Sequence, residues 1–143
     1  MKIQTFLALL AASTTEAWRW NTREQKNVFG QPLEIASTDP MTGYLRDGKC
    51  TYINSDYGTH VVAAVMDEDF LSYTKSKGND LSTPRPWGFP GLKPGDRWCL
   101  CQFRWNQAVK AGHGPKVILE ATNETALRYL SLDLLKEYEY KGE

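Results

Sequence analysis

The chain has no surplus of charge of either sign. Seventeen basic residues stand against seventeen acidic ones over 143 residues, and the pI is near 6.7. A general nucleic-acid or anionic-membrane binder needs a basic surplus to attract phosphates, so neither partner is expected. No continuous apolar run reaches the roughly 18 residues of a membrane helix, so no span is expected in the mature chain. Histidine occurs twice and cysteine three times. That scarcity excludes a histidine-rich metal site and a dense disulfide scaffold. Gly-x-Gly-x-x-Gly, a phosphate loop ending in Gly-Lys-Ser/Thr, His-Glu-x-x-His and Gly-x-Ser-x-Gly are all missing. There is no internal repeat or low-complexity block. The chemistries that short motifs announce are therefore absent, and no cofactor is implied.

What remains is the composition of an ordinary folded domain, 41% hydrophobic and 12% aromatic. A chain of this size hides about 68–70% of its unfolded surface and folds without staples. Residues 1–17 read differently from the rest. Lys2 is followed by the apolar stretch Phe6–Ala12, and Thr15 and Ala17 stand at −3 and −1 of a cleavage point before Trp18. That is the layout of a secretory signal peptide, and secretory targeting is expected. The aromatic at +1, with Arg19, Arg23 and Lys26 close behind, resembles bipartite plastid presequences of algae, which makes a plastid the alternative. Residues 18–26 read as a linker, 27–138 as one domain and 139–143 as a tail.

The odd set Cys50, Cys99 and Cys101 leaves several readings open. Cys99 and Cys101 share one face of an expected strand, so closing them on each other would strain the geometry. Either one can pair with Cys50, or all three are small buried apolar residues. A zinc site from Cys50, Cys99, Cys101 and His60 fits poorly, because structural zinc prefers two to four residues between cysteines. No metal is expected. Asn123-Glu124-Thr125 is a glycosylation sequon, but the segment reads better as a helix start, with Thr122 or Asn123 as the cap of the following run.

Along the chain, His60–Met66 is a buried strand bounded by Gly58 and Asp67. Asp67 caps a helix with Phe70, Leu71 and Thr74 on one face and Gly78 at its end. Asp96–Cys101 is a second strand. Trp105, Ala108 and Val109 mark a short helix closed by Gly112. Further short strands are expected at Pro32–Ile35, Cys50–Ile53 and Lys116–Ala121, and helical runs at Asn123–Leu130 and Ser131–Tyr138. Between them lies a long loop, residues 78–96, holding four of the seven prolines, which can be neither helix nor central strand. Trp87, Phe89 and Leu92 give it apolar anchors, so it is expected to be ordered. This order of elements indicates an α+β fold, a small mixed sheet with short helices packed on one side.

Polar residues concentrate beside turn residues rather than on helix faces. Asp39, Thr42, Arg46, Asp47, Asn79, Asp80, Arg85 and Arg97 sit in Gly/Pro loops, the usual setting of a shaped site, and His60 opens the central strand. The competing role is structural, since Asp and Arg in such loops often bond unpaired backbone groups. These nine residues are the candidate ligand contacts. Arg85 is expected to be a buried clamp on loop carbonyls, Asp96 or Asp80, and Arg46 with Asp47 to form the open side of the site.

Longer words in the sequence resemble a known family. They are Asn27-Val28-Phe29-Gly30, the stretch from Thr38 to Gly48, Gly58-Thr59-His60, and the block Gly78–Cys101 with its core Gly88-Phe89-Pro90-Gly91-Leu92-Lys93-Pro94-Gly95-Asp96-Arg97-Trp98-Cys99-Leu100-Cys101. They resemble the small bacterial and plant family named domain of unknown function 2237, over about residues 27–138. The resemblance implies a compact α+β domain and no established activity. Family members often carry extra cysteines where this chain has Ala36, Lys49 and Ala63, which puts any family-wide thiol or metal chemistry in doubt here. His113 has no counterpart and reads as a loop residue.

The expected function is a small soluble module that binds a small polar or anionic ligand. One alternative is a small hydrolase or transferase with His60 as general base and Asp39, Asp47 or Asp80 as its partner. Another is a protein-interaction domain that docks its partner through an exposed Trp87–Phe89 loop.

Overall fold

The computed structural model describes residues 24–142. The expected targeting segment and the first residues of the expected linker lie outside the described residues. The elements run β1 (His60–Val65), α1 (Glu68–Ser76), β2 (Arg97–Cys101), α2 (Gln102–Lys110), 3-10 turns at Leu119–Ala121 and Glu124–Arg128, and α3 (Leu132–Glu137). This is a small α+β fold.

Local chemistry explains the helices. Asp67 accepts the Phe70 backbone N–H at 2.6 Å, and Glu68 and Asp69 place negative charge in the first turn of α1, where the helix dipole favours it. Ser131 caps α3 by accepting from Leu134 N–H at 3.1 Å. Asn123 accepts from Thr125 N–H at 2.9 Å to open the second 3-10 turn. Asn123 is buried, and its side-chain amide donates to the Cys50 carbonyl at 3.0 Å. The sequon asparagine thus serves as a cap and a core tie.

β1 and β2 pair antiparallel, with Ala63 opposite Cys99 and Ala64 opposite Trp98, and the register slips between His60 and Val62. The sheet has two strands, fewer than expected. On the other edge of β1, Val117 makes an antiparallel bridge to Ala64 and a parallel one to Glu139. The buried Leu119 then turns the chain into a 3-10 helix, so the expected strand 116–121 shrinks to this bridge. Pro32, which has no N–H to give a ladder, makes one bridge to Lys26, and Tyr52 N–H goes to the Gln25 side chain at 2.8 Å instead of to a strand. At the two ends, the Gln25 side chain donates to the Tyr52 carbonyl at 2.8 Å and Tyr140 N–H bonds the Val117 carbonyl at 2.7 Å.

Alternation along the strands makes two cores. Val62, Ala64, Trp98 and Leu100 join Phe70, Trp105 and Leu135 in the main one, where each large side chain is worth about 1.5–3 kcal/mol. Ala63 and Cys99 face a smaller cluster with Ala36, Cys50 and Ala121. Cys50 and Cys99 are joined there as a disulfide with Cα atoms 5.4 Å apart, and Cys101 is free.

Candidate functional site

Two loops meet above the β2 end of the sheet. The first runs from Ser37 to Lys49. Ala36 N–H bonds the Gly48 carbonyl at 2.8 Å and Gly48 N–H bonds the Thr42 carbonyl at 3.0 Å, which closes it. Gly43 has φ +98, and a Cβ there would run into the Lys49 carbonyl, so the tight return needs glycine. Thr42 is fully buried and its Oγ1 accepts the Cys99 backbone N–H at 2.9 Å. Asp47 accepts Lys49 N–H at 3.1 Å and the Thr51 hydroxyl at 2.8 Å.

The second loop, 78–96, is organised by its two aspartates. Asp80 accepts the backbone N–H groups of Ser82 and Thr83 and, at 2.7 Å, the Thr83 hydroxyl. These bonds, the hydroxyl's first and Ser82's N–H next, hold its carboxyl below the ordinary aspartate range. Asp96 accepts Lys93 N–H at 2.8 Å. Leu92 is buried and bonds Leu81 through the backbone, and Phe89 packs edge-on to Trp98 at 5.4 Å. Phe89 and Leu92 are therefore anchors, as expected. Trp87 is not; 76% of it is exposed, because the Arg85–Gly88 turn points it away from the core.

Between the loops lies a cleft of about 1200 Å³, open to solvent. Asp39, Arg46, His60, Asn79, Asp80 and Arg85 line it, together with Tyr44, Trp87, Phe89, Lys93, Asp96 and Trp98. Thr42, Asp47 and Arg97 do not. Thr42 is consumed as a buried strand acceptor, Asp47 closes its own turn, and Arg97 lies over the Tyr140 ring at 5.5 Å.

The cations of the cleft differ in how they are held. Arg85 donates to the Asp80 carbonyl at 3.4 Å and stands 3.8 Å from the Asp80 carboxylate, with 37% of its side chain exposed. It is a loose tether to Asp80, not the buried clamp expected, because the proline-rich turn keeps it at the surface. Arg46 donates to the Gly43 carbonyl at 2.6 Å and lies over the Trp98 ring at 5.0 Å. Among the described residues it has no carboxylate partner, nor has Lys93. Asp80 takes backbone and hydroxyl donors and Asp96 one backbone donor, and with Asp39 these three carboxylates balance Arg46, Arg85 and Lys93 in formal charge along the cleft.

His60 has a carboxylate partner, but not one of the three expected. Asp56, whose side chain is fully buried, accepts the His60 backbone N–H at 2.8 Å and lies 2.7 Å from the ring Nδ1. Tyr44 lies nearly parallel to the imidazole at 6.2 Å and ties its loop to this turn through the Ser55 carbonyl. Asp56 was legible only as a turn former upstream of Gly58. Its spacing to His60 is four residues, a helical interval, but the segment between them is a turn rather than a helix, and Tyr44 and Trp98 carried no signal beyond being aromatic.

Among the described residues no three His, Cys, Asp or Glu side chains converge on one point. The disulfide also removes Cys50 and Cys99 as the thiolate ligands of the four-residue zinc set weighed from sequence, since metal-bound cysteine is deprotonated thiolate. Residues 26–139 match the model of a family described as an uncharacterized protein conserved in bacteria, domain of unknown function 2237. No curated protein matches the chain.

Proposed function

The chain belongs to the domain of unknown function 2237 family, and since that description carries no activity we propose from the cleft that the protein binds a small anionic ligand with a flat apolar part. The observation that carries this reading is Arg46, a guanidinium at the cleft without a carboxylate partner among the described residues and laid over the Trp98 ring. A guanidinium offers carboxylate or phosphate a rigid bidentate fork. Lys93 adds a second cation, and the exposed rings of Tyr44 and Trp87 supply flat walls for a ring or planar chain.

A second reading rests on Trp87, whose exposure suits an aromatic anchor for a protein partner. Titration calorimetry of the protein with benzoate, phenyl phosphate and inorganic phosphate separates the two. Saturable binding of the aryl anions, weakened at least about tenfold in Arg46→Ala, supports the ligand reading. No binding by any of the three, or equal binding by the variant, overturns it. Secretory targeting by residues 1–17 is part of the same proposal. The Cys50–Cys99 disulfide supports it, because such bonds persist in oxidising compartments. A native protein beginning near Trp18 by intact mass is the expected result.

A further inference from the structure

His60 is the one histidine that lines the cleft, and its ring is built to a single orientation. The buried Asp56 carboxylate holds both the backbone N–H and Nδ1 of the same residue. With Nδ1 engaged there and 38% of the side chain open on a residue that lines the cleft, Nε2 is the nitrogen left for a ligand, and it has no hydrogen-bond partner among the described residues. A Cβ at Gly58 would come within 2.5 Å of the ring Cε1, so the glycine makes the seat into which the imidazole fits. The backbone is also forced there. Among the described residues the non-glycine positions with positive φ are Thr59 (φ 48), which precedes His60, and Arg46 (φ 55), which lines the cleft. Such outliers persist where the surroundings over-determine them, and they cluster at functional sites. A carboxylate that fixes the tautomer of an imidazole, and stabilises the imidazolium formed when Nε2 takes a proton, is the standard support of a general base.

We infer that Asp56 and His60 form a general-base pair that hydrolyses a carboxylic ester bearing an anionic group, with Arg46 holding that group. The inference rests on the anion-binding reading above. The openness of the cleft selects hydrolysis: abstraction of a carbon-bound proton calls for a site that excludes water to prevent proton leakage, whereas hydrolysis consumes water. In the step, water forms a bond from its oxygen to the acyl carbon while His60 Nε2 takes its proton. The carbonyl π pair moves to oxygen. The pair then returns, the bond from carbon to the ester oxygen breaks, and the imidazolium returns its proton to the leaving alkoxide. The products are a carboxylic acid and an alcohol, nothing is oxidised or reduced, and the enzyme ends as it began. His60 is the catalytic residue and Asp56 a positioning residue.

The test uses the mono(4-nitrophenyl) ester of glutaric acid and, as uncharged comparison, 4-nitrophenyl acetate. His113 provides the control, because it too pairs through Nδ1 with a carboxylate, Asp69 at 2.9 Å, but outside the cleft. Expected are saturable turnover of the anionic ester in preference to the acetate, and a fall in kcat of about 10²–10⁴-fold in His60→Gln. His113→Gln should stay at the wild-type rate. Asp56→Asn should lower kcat with little change in KM, and circular dichroism checks that it folds; should it not fold, His60→Gln still decides. Turnover that depends equally on His113, survives His60→Gln or shows no preference for the charged ester overturns the inference. So does binding of benzoate or phenyl phosphate with no hydrolysis above the buffer rate, an outcome that leaves the binding reading intact. Turnover dependent on His60 with neither anion bound, and with Arg46→Ala unchanged, would instead remove the anion-binding role.

Discussion

Thr42 Oγ1 accepts the backbone N–H of Cys99 at 2.9 Å, joining residues 57 apart, and both groups are buried. The bond fastens the first cleft loop to the middle of β2 and satisfies a strand donor that has no ladder partner on that side. Thr42→Val keeps the shape and removes the acceptor. An orphaned buried donor costs about 1–3 kcal/mol, so chemical denaturation should show a loss of that size, with Thr42→Ser recovering most of it. A Val variant as stable as wild type would mean the bond contributes nothing.

The Cys50–Cys99 disulfide ties the same region at a second point, across a separation of 49 residues. Closing such a loop in the unfolded chain is worth about 2–4 kcal/mol. Cys50→Ser with Cys99→Ser should lose that much. Cys101→Ser should change little, because Cys101 is free and only partly buried. Thermal melts with and without reductant check both.

Arg85 and Arg46 should part company on substitution. Arg85 is a half-exposed tether, so Arg85→Ala should cost no more than about 1 kcal/mol. Arg46 sits at φ 55, where any residue with a Cβ is strained. Arg46→Gly should therefore be more stable than Arg46→Ala by about 1 kcal/mol, although both lose the guanidinium and with it the aryl anion. Parallel urea melts and calorimetry decide; equal stability of the two variants would show that the backbone there is relaxed.

Asp80 sets a pH dependence for the second loop. Its carboxyl is held below the ordinary value by Thr83 and Ser82. A group whose pKa is lowered on folding stabilises fully above its unfolded value, and the contribution is lost as pH falls through the folded one. The 78–96 loop should thus loosen only in acid, below about pH 4, and tryptophan fluorescence should report it through Trp87. In Asp80→Asn this acid step should vanish; its persistence would place the responsible group elsewhere.

Gly91 tests how tightly that loop is closed. It has φ +77, and a Cβ would lie 2.6 Å from the Ser82 carbonyl oxygen. Gly91→Ala combines backbone strain with a backbone clash and should cost more than about 1 kcal/mol. Loss of aryl-anion binding should accompany it, since Leu92 and Phe89 hang on the same turn.

Much of this protein was legible residue by residue because the deciding interactions are short in sequence. Asp67 to Phe70, Ser131 to Leu134 and Asn123 to Thr125 are caps made within three residues, and a composition rule reads them. The apolar run from Val61 to Ala64 announces a strand because burial on both faces leaves no polar position. The Gly/Pro content of residues 78–96 excludes regular structure by φ and missing N–H groups alone. Tertiary structure decided the rest, where one residue had several partners of equal chemical merit. Cys50 took Cys99 over Cys101, and His60 took Asp56 over Asp39, Asp47 and Asp80. Thr42 went to the strand, and Trp87 went to solvent while Phe89 went to the core. Charge and hydropathy rank those options alike. What separates them is distance and direction, which exist only once the two loops are folded against β1 and β2.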